Sequence, residues 1–119
     1  FAASASQAEK ASELAEVERV GDMAQAAMLE CINENALRLD DGHESAAVVA
    51  HAAVTACHDT HDKALKLVTW RYMLKHDFSV EDASTLAIKF QDGVEKRFED
   101  IAVLKILNRR AGTSDAPNR

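Results

Sequence analysis

The chain has 119 residues, 47% of them hydrophobic and 29% charged, with one Pro and four Gly. That is the composition of one compact globular domain rather than of a disordered segment or a membrane protein, and so few breakers exclude an all-β chain with its many turns. The formal charge of −6 is unevenly spread: residues 1–45 carry ten acidic against three basic side chains, whereas residues 46–119 are close to balance. An acidic first third lacks the clustered Lys and Arg that release counterions from phosphates, so neither nucleic acid nor an anionic membrane surface is expected as a partner.

The first residues, Phe1-Ala2-Ala3-Ser4-Ala5-Ser6, resemble the end of a secretory signal, with Ala3-Ser4-Ala5 an A-x-A-like cleavage site. Together with an even cysteine count this favours an exported (periplasmic or secreted) protein, with a cytoplasmic one as the alternative. The longest nearly apolar run, Ala46 to Cys57, is interrupted by His51 and Thr55 and is far short of the roughly 20 residues that span a bilayer, so no transmembrane segment is expected.

From Ser6 to Leu39, Leu14, Val17, Val20, Ala24, Ala27, Met28, Cys31 and Ile32 recur at three- and four-residue spacing and predict a first amphipathic helix over 6–39. Asp40-Asp41-Gly42-His43 supplies a stop, because Asp accepts turn conformations and Gly42 can take a positive φ. A second helix is expected over 45–76, alanine-rich at first, with Val49, Ala53, Ala56, Thr60 and Leu67 on its core face. Its later half carries Leu65, Leu67, Val68, Trp70, Tyr72, Met73 and Leu74 at nearly every angle around the axis, more than one stripe can bury.

Asp77 to Asp82 reads as a turn with Ser79 as N-cap of a third helix over 79–110, whose stripe is Val80, Ala83, Ala87, Phe90, Val94, Phe98 and Ile101. Lys105, Arg109 and Arg110 fall at its C-terminal end, where cations suit the dipole, and a polar, mobile tail is expected over 112–119. Three segments of similar length with short connections predict one domain over 1–119, an all-α up-down-up bundle of three long antiparallel helices. A hairpin that completes its core by dimerising is the alternative.

With the first turn centred near residues 42–44, positions level with one another on the first two helices have numbers that sum to about 88. Cys31 and Cys57 meet that condition and lie on or beside the core stripes, so a disulfide between them is expected to clamp the hairpin.

His51, Thr55, His58 and Asp62 lie close together around the second helix and form a polar stripe opposite its core face. His58 with Asp62 or His61 could give a divalent metal two ligands, and His51, His58, His61 and Asp62 are the candidate set of a helical metal- or ligand-binding module. An exposed pair on one helix is an open site, however, and no cofactor is expected. Cys57 and His58 diverge by about 100° on a helix, so they do not make a nucleophile and base. A glycine-rich phosphate loop, HExxH, CxxC and CxxCH are all absent, and no enzyme is expected. The remaining lead is the apolar surplus of the second helix. Leu65, Trp70, Tyr72 and Met73 are candidate interface residues, of the types that interface centres favour. The sequence thus points to a small non-enzymatic protein working through protein contact, by self-association or as an accessory subunit.

Overall fold

The computed structural model describes residues 2–112, with side chains from Ser6 onward. Phe1, the side chains of residues 2–5 and residues 113–119 lie outside that range, and with them the cleavage-site expectation and nearly all of the expected tail. The chain is all-α, with four helices: α1 (Ala2–Leu39), α2 (Ala46–Ala56), α3 (His58–His76) and α4 (Val80–Ala111).

The expectation of three helices is corrected at Cys57, where the second one divides. Cys57 has φ −104° and ψ 24°, and its N–H donates to Val54 O, three residues back, instead of closing a regular α-turn. Two threonines flank the joint and donate to helix carbonyls, Thr55 Oγ1 to His51 O (3.1 Å) and Thr60 Oγ1 to Cys57 O (2.6 Å). Such bonds bend a helix, and at Cys57 the bend is tied covalently to α1. Residues 58–63 are all polar, but Val54, Cys57, Ala64 and Val68 stay on helical spacing across them, which is why periodicity does not mark the joint.

Helices α2 and α3 together run antiparallel to α1, and each packs against both α1 and α4. The register is visible in pairs far apart in sequence: Lys10 bonds Asp77, the Gly21 backbone faces Leu67, and Cys31 meets Cys57. Helix α4 returns parallel to α1. The expected cap at Ser79 forms, accepting from the backbone N–H of Asp82 (3.1 Å), and Ser45 caps α2 in the same way, accepting from Val48 N–H (3.2 Å). Gly42, at φ 83°, and the Asx bonds Gly42 N–H to Asp40 Oδ1 (3.0 Å) and His43 N–H to Asp41 Oδ1 (2.9 Å) make the first turn.

The molecule measures 64 × 32 × 17 Å, and its two ends are built differently. At the closed end, beside the first turn, Met28, Ile32, Val49, Ala53, Ala102 and Ile106 belong to one buried cluster. Alanines on α2 let the neighbouring helices approach closely. At the open end, where α1 begins, α3 stops and α4 starts, Val17, Val68 and the alanines at 64, 83 and 87 are buried while larger apolar groups stay outside.

The stripe expected on α4 holds at Ala83, Ala87 and Val94, which are buried, but not throughout. Val80 is 59% exposed and Phe90 39%, whereas Gln91, Ala102 and Ile106 are buried. On α2, the expected core residue Ala56 is exposed. Gln91 is tolerated in the interior because its amide is paired: Gln25 Nε2 donates to Gln91 Oε1 (2.6 Å) and Gln91 Nε2 donates to Gln25 Oε1 (3.0 Å).

Candidate functional site

The disulfide forms as the register requires, with the Cα atoms of Cys31 and Cys57 6.0 Å apart across a sequence separation of 26. Cys57 is buried, Cys31 is half-buried, and Asn35, one turn beyond Cys31, places Nδ2 3.5 Å from each sulfur while donating to Cys31 O at 2.9 Å. Closing a loop of this size contributes about 3.5 kcal/mol in the chain-entropy picture.

Past the disulfide the closed end is tied by arginines from α4. Arg109 Nη1 donates to Leu37 O (2.6 Å), and Arg110 Nη2 donates to Asp40 Oδ1 (2.5 Å) and Glu44 O (2.6 Å). Sequence reasoning placed both arginines at the dipole of their own helix. Because α1 and α4 end side by side, they also satisfy the last carbonyls of α1 and the turn beyond it. The Arg110 guanidinium, with the Gly42 N–H after it, holds the Asp40 carboxyl below its ordinary range. Asp41 is held down likewise, chiefly by the His43 N–H. The Asp40 side chain is only 4% exposed, but its cover is the arginine itself, so this is a capped surface pair and not a charge deep in the core.

The histidine set does not converge. His51 lies 3.5 Å from Glu99 and is exposed, and His58 sits between Asp59 (3.4 Å) and Asp62 (3.5 Å), also in solvent. His61 turns the other way, 18% exposed, with Nδ1 2.8 Å from Glu95 Oε2 on α4. That carboxylate lies off the ring N–H direction, so the contact is not a directed hydrogen bond. Among the described residues, no group of three or more His, Cys, Asp or Glu could hold a metal ion.

The four interface candidates also face different ways. Leu65 is half-buried in a shallow groove against α4, with Thr69, Ser84 and Ile88. Tyr72 and Met73 are half-buried, the Tyr72 ring stacking on His76 (6.0 Å between centroids) and His76 in turn on Phe78 (5.1 Å). Trp70 is 46% exposed and looks toward α1. There it lines a groove of about 420 Å³ between α1 and α3, floored by Val17, Val20 and Leu67.

Sequence reasoning missed the wall of this groove. Glu9, Glu13 and Glu16 stand along it on successive turns of α1, and Glu13 Oε1 accepts the Trp70 indole N–H at 3.2 Å. Arg19, just beyond, is committed to Glu16 (2.6 and 3.1 Å), which holds the Glu16 carboxyl below its ordinary range. The acidic excess of the first helix and the antiparallel register were both legible. Together they put the carboxylates opposite the apolar second half of the hairpin.

A second crevice, of about 200 Å³, opens between α1 and α4 over α3. Glu18 and Asp22 stand on one lip, Arg97 and Phe90 on the other, and Arg71 lies below with its guanidinium 5.2 Å from the Phe90 ring centre. Comparison with protein-family models, with curated proteins and with solved structures finds no match. Among the described residues, no helix is long and apolar enough to cross a membrane. The disulfide is consistent with an oxidising compartment.

Proposed function

We infer that this is a non-enzymatic helical protein that works through protein contact at its open end, as an accessory subunit or as a self-associating unit of a larger assembly. The observation that carries the reading is Trp70, about half exposed over an apolar groove in a chain that buries smaller side chains elsewhere. A large aromatic with its one polar atom engaged and its ring half uncovered is of the type that interface anchors favour. Val80, Leu86, Ile88 and Phe90 are also exposed at this end, as Val48, Leu104 and Leu107 are at the other, so Trp70 and its groove carry the reading. Export to an oxidising compartment belongs to the proposal and is supported by the disulfide. A metal-binding role draws less support, because His51, His58 and His61 are each engaged with a different carboxylate.

Native mass spectrometry of unreduced protein from its source tests the reading, with Trp70→Ala and Tyr72→Ala as variants. Wild-type protein is expected in a complex that Trp70→Ala weakens at least tenfold while circular dichroism stays the same. A wild-type chain that is monomeric and partnerless, or variants that assemble like it, would overturn the proposal.

A further inference from the structure

We propose that the groove between α1 and α3 receives a basic amphipathic helix of another protein, its apolar stripe on Trp70, Leu67, Val17 and Val20 and its lysines or arginines along Glu9 and Glu13. This rests on the reading of the open end as a contact surface and adds the chemistry of the partner.

Three features point to that occupant. The groove runs along α1 from Glu9 to Val20, about 17 Å or three helical turns, which matches the anchors of a docked helix at i, i+4 and i+7. Its floor is aliphatic and aromatic, while the charged side chains along it are carboxylates. The two cations of α1 beside it are already engaged, Arg19 with Glu16 and Lys10 with Asp77. Glu9 and Glu13 therefore keep their negative charge available, since the indole N–H that Glu13 accepts is a neutral donor. The same acidic wall argues against a second copy on this face, because a two-fold contact would set Glu9, Glu13 and Glu16 against their own counterparts. Carboxylates beside an apolar slot also repel an anionic lipid surface.

Trp70 is the chain's single tryptophan, so its fluorescence reports the groove directly. The probe is a synthetic 18-residue helical peptide with leucine on one face and lysine on the other. It is compared with a counterpart carrying glutamine for every lysine, and with a scrambled peptide of the same charge and no apolar face. The protein is used with its disulfide intact, as wild type, as Glu9→Gln with Glu13→Gln, and as Glu30→Gln with Glu34→Gln. The last pair removes the same charge from exposed positions of α1 away from the groove.

The lysine peptide is expected to blue-shift the Trp70 emission saturably, and to bind the Glu9/Glu13 variant at least fivefold more weakly and the Glu30/Glu34 variant within twofold of wild type, while the scrambled peptide binds wild type at least tenfold more weakly than the lysine peptide does. Equal weakening in both variants would overturn the proposal by reducing the effect to net charge. Equal binding of the glutamine counterpart would overturn the basic partner while leaving the contact surface standing. No spectral change with either helical peptide would overturn the docking of a helix here, and the assembly measurement with Trp70→Ala then decides separately whether the open end makes contacts at all.

Discussion

The two ends of this bundle use the same helices to opposite effect. At the closed end α1, α2 and α4 meet through small residues, with Met28, Ile32 and Ile106 fully enclosed, and the turn is held by a disulfide and two arginines. At the open end α1, α3 and α4 bury mainly valine and alanine, and Trp70 and Phe90 line grooves instead, although Leu104 and Leu107 are exposed at the closed end too. Small side chains bring helices together when something larger fills the centre, as Met28 and Ile32 do. Where the buried residues are mostly small, as at Ala83 and Ala87, the large ones spread to the flanks. The difference lies in where the volume is placed: the largest enclosed side chains gather at one end, and the buried residues at the other are mostly small.

The sharpest way to break that contrast is to cut a side chain from each end. Ile32→Ala should cost about 3–4 kcal/mol in urea unfolding, by lost burial plus the cavity left behind, whereas Phe90→Ala, half exposed, should cost about 1 kcal/mol. Similar losses would mean that the open end carries as much of the stability. Replacing Cys31 and Cys57 together by serine should cost about 3.5 kcal/mol, read as a lower denaturation midpoint. Amide exchange should quicken first in α2 and the adjoining turn; uniform quickening would erase the distinction.

Gln91 lies nearer the open end and tests whether the interior there is specific or merely filled. Gln91→Leu leaves the Gln25 amide without its partner and should cost about 1–3 kcal/mol, most of it recovered when Gln25→Leu is added. A double variant no better than the single one would show that shape and not pairing sets the cost. The smallest effect is expected from acid. Asp40 has a folded pKa below its unfolded value, so its stabilisation is fully present above the unfolded pKa, near 4, and is lost as pH falls through the folded one. Asp40→Asn should therefore flatten the pH dependence of thermal unfolding below about pH 4 and leave the Trp70 signal unaltered.

Much of the closed end was legible because it depends on counting. A register set by one turn aligns Cys31 with Cys57, and at the other end Ser79 announces its cap by residue type. The joint at Cys57 was not legible, since Val54, Cys57, Ala64 and Val68 continue an apolar pattern across it. On α4, Val80 and Phe90 drew the expected stripe toward themselves by size, while a glutamine enters a core only when its partner on another helix is in view. The groove was half legible: Trp70 stood out, but its acidic wall belongs to α1 and became part of the site only when the helices were set side by side.

The Cys31–Cys57 bond spans the exposed turn at Asp41, Gly42 and His43, and Arg110 holds Asp40 on one side of that turn and the Glu44 carbonyl on the other. A protease that nicks the turn would thus sever the backbone without separating the pieces. The cut chain should keep its groove, run as one species until thiols are added, and then divide into an acidic N-terminal fragment and a larger remainder.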